Sequence, residues 1–151
     1  MSPQMDRQAR KRIIRVCWMD IVLVGPMAIP PLALFILSIV ADIDAALGFA
    51  SPVSTINPLG LIFMNVVGLL ATVWSIVRIR ETSRLNTALD SGARVLVVLV
   101  LVYGWMHSGP SVLFILFTLT ELGGAAVQMI ALGRDRTAAE PGRFTPEAPR
   151  Q

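Results

Sequence analysis

A chain of 151 residues with 54% apolar and only 15% charged side chains is unlike a soluble domain, in which about a quarter of residues are charged. Its lone cysteine, Cys17, excludes an intramolecular disulfide, a CxxC motif and thiolate redox chemistry. The net charge of +3 does not point to a nucleic-acid partner, because all thirteen Lys and Arg lie in three clusters that abut apolar runs: Arg7 to Arg15, Arg78 to Arg94 and Arg134 to Arg150.

Each gap between clusters is long enough for two membrane spans, so every basic residue can lie on one side. That is the positive-inside pattern of an all-α, integral membrane four-helix bundle with both termini cytoplasmic. It predicts a multi-pass membrane protein with the lipid bilayer as its first partner. Residues 1–12 form a basic cytoplasmic N-terminus, 13–133 the membrane domain and 134–151 a disordered cytoplasmic tail rich in charge, Pro and Gly. Expected spans are 16–41, 59–77, 87–107 and 112–132, and Met5 to Trp18 can form a basic interfacial helix leading into the first.

The first apolar run, Val16 to Ala41, is too long for a signal peptide, whose apolar region is about 7 to 15 residues. Gly25-Pro26 and Pro30-Pro31 remove three backbone donors near its middle. Either a kinked span or an unwound segment lining a cavity follows from that loss. Asp42 to Pro58 reads as a long outward loop. In the second span, Leu59 to Val77, residues Asn65, Gly68 and Thr72 share a face suited to close helix contact.

The third span has only twelve uninterrupted apolar residues, Val95 to Met106, which cover ~18 Å of a ~30 Å hydrocarbon core. It must borrow residues from its inner end, starting near Thr87. This draws Arg94 and Asp90 below the headgroups, four apart on one face, where they pair or Arg94 snorkels back to the interface. The fourth span carries Glu121 ~13 Å along its axis, near the bilayer midplane. With Thr118, Gly124, Ala125 and Gln128 it makes a polar stripe expected to face inward, where Glu121 and Arg94 meet directly or through Asn65 or Thr72.

The candidate ligand or proton site is therefore Glu121, Arg94, Asn65, Gln128 and Asp20. Trp18, Trp74, Tyr103 and Trp105 read as interfacial anchors, and His107, the single histidine, cannot form a bis-histidine haem site. No catalytic residue, metal site or cofactor is indicated: the chain has no phosphate-binding loop, no nucleophile elbow and no H-E-x-x-H motif.

Asn65-x-x-Gly68, Asp90-x-x-x-Arg94 and the intramembrane Glu121 together resemble the small four-helix bacterial inner-membrane proteins of the DoxX-like type, over roughly Ile56 to Leu132. The resemblance implies localisation in a bacterial inner (plasma) membrane and a kind of protein sometimes associated with membrane oxidoreductases. It does not extend to the first span and carries over no catalytic residue. The leading expectation is a non-enzymatic accessory or assembly subunit, or a binder of a hydrophobic small molecule between its helices, with a membrane protein or a second copy as partner. Two alternatives are an oligomeric proton- or cation-coupled carrier using Glu121, with Gly123, Gly124 and nearby alanines as dimer contact, and a membrane enzyme acting on a lipid or quinone.

Overall fold

The computed structural model describes residues 6–50, 53 and 56–138, and it is all-α. Five helices follow one another: α1 (Arg7–Val24), α2 (Pro30–Ala46), α3 (Pro58–Arg80), α4 (Arg84–Ser108) and α5 (Val112–Ala138). A 3-10 turn, Gly25–Ala28, joins α1 to α2. Helices α3, α4 and α5 are each long and apolar enough to cross a membrane, and α1 with α2 makes a fourth crossing if the bent pair counts as one span.

Local chemistry sets these boundaries. Asn57 caps α3, its Oδ1 accepting from Gly60 N–H at 2.7 Å, with Pro58 at the first helical position where its missing N–H costs nothing. Ser83 caps α4 through Asn86 N–H at 3.1 Å, so α4 begins at Arg84 and supplies the inner residues that its short apolar stretch lacked. Gly109, at φ 86, ends that helix in a conformation few other residues adopt.

Three expectations are corrected. The run 16–41 is not a kinked helix: α1 and α2 meet at 102°, because the prolines at 26, 30 and 31 withhold the donors that would carry the α ladder across. The outward loop does not begin at Asp42, since α2 continues to Ala46 and buries Asp44 completely. At the other end α5 runs on to Ala138, so the expected tail at 134–151 begins as helix, and its part from 139 lies outside the described residues.

Helix α4 packs along α5, and α1 packs against both α3 and α5, whereas α3 and α4 barely touch. The apolar core is small. Ala9, Ile13, Cys17 and Ala131 form one cluster, and Leu37, Val40 and Val53 another. Most large apolar side chains point outward, among them Phe35, Leu70, Val95 and Val100, while the buried set includes Arg78, Asp90, Arg94 and Gln128. An apolar exterior around a polar interior suits hydrocarbon rather than water as the solvent.

Candidate functional site: a buried ion-pair network beside an apolar cleft

Four helices contribute to one polar cluster. From α4, the i, i+4 pair Asp90 and Arg94 points inward, with Arg94 Nε donating to Asp90 Oδ2 at 2.9 Å. Asp90 then accepts from three further side chains. Arg78 Nη1 on α3 reaches Oδ2 at 2.5 Å, Gln128 Nε2 on α5 reaches the same oxygen at 2.6 Å, and Trp74 Nε1 on α3 donates to Oδ1 at 2.8 Å. Arg94 extends the network the other way: Nη1 donates to Glu121 Oε2 of α5 at 2.9 Å and Nη2 to Asp20 Oδ2 of α1.

The arginine therefore uses all three guanidinium nitrogens on three carboxylates, the planar fork geometry that Lys could not reproduce. Its side chain lies against α5 at Gly124, where an added Cβ would stand 2.7 Å from Nη1. Arg94 is 5% exposed, so snorkelling to the interface is not what it does. Gly124, for its part, is occupied by a contact within the chain rather than left open for a second copy.

Of the five candidate residues, Arg94, Glu121, Asp20 and Gln128 come together. Asn65 does not join them. Its Nδ2 donates to the carbonyl of Met27 at 2.6 Å, capturing an acceptor freed where the first apolar run breaks. Gly68, one turn along α3, lets that turn approach so closely that a Cβ would lie 2.6 Å from the backbone nitrogen of Ala28. Thr72 bonds back to Gly68 O at 2.8 Å and does not bridge Arg94 to Glu121.

Three members of the network lie outside the candidate set: Asp90, which the sequence only pairs with Arg94, and Arg78 and Trp74. In the sequence Arg78 groups with the cytoplasmic charges and Trp74 with the interfacial anchors, yet Arg78 is 1% exposed and both serve Asp90. Their i, i+4 spacing on α3 puts them on one face, the signal in the sequence that pairs them. Among the described residues, two buried side-chain atoms have no hydrogen-bond partner, Arg78 Nη2 and Gln128 Oε1. Among the described residues no group of three His, Cys, Asp or Glu side chains is arranged to hold a metal ion.

Because α3 and α4 are joined by long polar side chains rather than by packing, the space between them stays open above the network. A cavity of about 340 Å³ lies there, lined by Met27 of the turn, Met64, Val67 and Ala71 of α3, Val97 and Leu101 of α4, and Phe114, Phe117 and Glu121 of α5. Glu121 is the one charged side chain in this wall and the point at which network and cleft meet. Its Oε1 receives no donor from any described residue, so the carboxylate retains bonding capacity toward the cleft. No family model, no curated protein and no solved structure matches this chain, so the functional reading rests on this geometry.

Proposed function

We propose that the chain is a four-span inner-membrane protein that binds a small hydrophobic molecule in the cleft between α3, α4 and α5, without carrying out chemistry on it. One observation carries the reading: a cavity of about 340 Å³ walled by apolar side chains with a single carboxylate at its edge. That volume falls in the ~300–1,000 Å³ range of small-molecule sites, which are mostly apolar with few polar groups to orient the ligand. Large parts of Val67 and Val97 face outward, which supports entry from the hydrocarbon side. In this reading α1, the 3-10 turn and α2 form one broken span, whose turn supplies Met27 to the cleft wall.

Equilibrium dialysis of 4-phenylbutanol against the protein in phosphatidylcholine nanodiscs tests the site. Ala71→Phe, which fills the cleft, is expected to weaken binding at least about tenfold, a loss of ~1.4 kcal/mol. Equal affinity in the filled variant would remove the cleft as the site. An accessory role beside a membrane enzyme is compatible with the same ligand, and co-purification from mild detergent is its test.

A second reading, a proton- or cation-coupled carrier, draws support from the position of Glu121 between the ion-pair network and the cleft. Liposomes holding a pH-sensitive dye discriminate. Flux that disappears in Glu121→Gln favours the carrier, and a tight vesicle removes it.

A further inference from the structure

The ion pairs of the network link five ionisable groups, three carboxylates (Asp20, Asp90, Glu121) and two guanidiniums (Arg78, Arg94). With all five ionised the cluster carries one surplus negative charge. In a medium of low dielectric an uncompensated charge is costly, so a cation from outside the network is the natural complement. The surplus has one outlet. Asp90 is saturated by four donors, and Asp20 and Glu121 each take one hydrogen bond from the Arg94 fork among the described residues, but of these three carboxylates Glu121 alone borders the cleft.

Resting on the cleft reading, we propose that the site selects an apolar molecule bearing a positive charge: a lipophilic amine or quaternary ammonium, its charged head at Glu121 and its body among Met64, Val67, Leu101 and Phe117. The rest of the wall offers nothing to a hydrated inorganic ion. An organic cation needs both features present here, an apolar envelope for its body and an acidic group for its head. Phe114 and Phe117 add aromatic rings to the same wall, and such rings attract ammonium groups through their quadrupoles.

A matched pair of probes gives the test: 4-phenylbutylamine, which is protonated at pH 7, and 4-phenylbutanol, which has the same skeleton without the charge. Binding is measured by equilibrium dialysis against the protein in phosphatidylcholine nanodiscs, with empty discs subtracted. The amine is expected to bind about tenfold or more tightly than the alcohol, as for one charge-assisted hydrogen bond in a partly desolvated site. Glu121→Gln leaves two carboxylates against two guanidiniums, so its fold is expected to hold while the amine-to-alcohol ratio falls to near one. Equal binding of both probes by the unaltered protein would overturn the charge selectivity and leave the apolar cleft standing. Binding of neither would overturn the cleft reading as well. A preference for the amine that survives in Glu121→Gln would overturn the assignment to this carboxylate, and the ratio in the unaltered protein decides the main proposal whatever the variant does.

Discussion

Asp90 is the residue on which the interior depends. Four side chains from three helices donate to it, and two of them are arginines. Asp90→Ala would strand Arg78, which pairs with no other carboxylate among the described residues, and would leave Arg94 with Asp20 and Glu121. Removing one partner of a buried ion pair typically costs about 3–5 kcal/mol, much of it the burden of the orphaned charge. The double variant Asp90→Ala, Arg78→Leu is therefore expected to be more stable than Asp90→Ala in a detergent unfolding series. Loss of stability that simply adds would show that Arg78 does not lean on Asp90. Gly123 and Gly124 make a sharper pair. A Cβ at Gly124 meets the guanidinium of Arg94 at 2.7 to 3.2 Å, while one at Gly123 meets nothing within 4 Å. Gly124→Ala is expected to lower stability by about 1–3 kcal/mol through overpacking. Gly123→Ala is expected to be neutral or to gain up to about 1 kcal/mol of helix propensity. Thermal unfolding of the two variants side by side checks the contrast, and a loss at position 123 would point to a contact between copies at that face. The acids at 20, 90 and 121 could be noticed in the sequence because charge is rare within apolar runs. Arg78 and Trp74 could not be separated from boundary residues, because a basic or aromatic residue at a span end looks the same whether it faces lipid headgroups or the bundle.

At the scale of elements, the break between α1 and α2 and the start of α5 both replace missing backbone partners from a distance. The prolines that stop the helix free the carbonyl of Met27, and Asn65 of α3 takes it. Helix α5 begins at Val112 with orphan N–H groups, and Asp44 of α2 answers them: its Oδ1 accepts from Val112 N–H at 2.7 Å and its Oδ2 from Ser111 Oγ at 2.7 Å. Ser111 Oγ in turn accepts from Leu113 N–H at 3.2 Å. A carboxylate at a helix N-terminus also meets the positive end of the helix dipole. Pro30 and Pro31 made an interruption legible in the sequence, yet not its angle, which depends on where α3 offers Gly68 and Asn65. In the sequence Asp44 looks like a loop acid because its partner lies 67 positions further on, beyond any local pattern. Its role leads to a direct prediction. Asp44→Ala is expected to cost about 1–2 kcal/mol, as for a lost helix cap, and to speed hydrogen exchange at Val112 and Leu113. Asp44→Asn keeps an acceptor oxygen and is expected to lose less. Unchanged exchange at Val112 in the alanine variant would dispose of the cap.

For the whole molecule, the contacts gather the first two basic clusters and the far part of α5 at one end. Ile13 and Cys17 of α1 pack with Ala131 near the end of α5 and against Ile79 near the end of α3. Arg12 and Arg15 border a groove with Val127 and Ile130. Arg78 reaches Asp90 early in α4. Leu37 and Val40 of α2 lie instead with Leu61, Met64 and Leu113, at the beginnings of α3 and α5. The bent α1–α2 pair thus leads from the basic end to the opposite one despite its 102° turn. A re-entrant loop would return α2 to the basic end, and it would place Arg78 to Arg94 across the membrane from Arg7 to Arg15, against the positive-inside rule. The predicted topology follows: residues 81–83 on the cytoplasmic side, and both 45–50 and 108–110 outside. Glu81, Ala46 and Ser108 are exposed positions suited to single cysteines in a Cys17→Ser background. In intact spheroplasts a maleimide that cannot cross the membrane is expected to label Ala46→Cys and Ser108→Cys, and to reach Glu81→Cys only after permeabilisation. Labelling of Glu81→Cys in intact spheroplasts, with Ala46→Cys and Ser108→Cys protected, would overturn this arrangement, whether by a re-entrant first pair or by an inverted bundle.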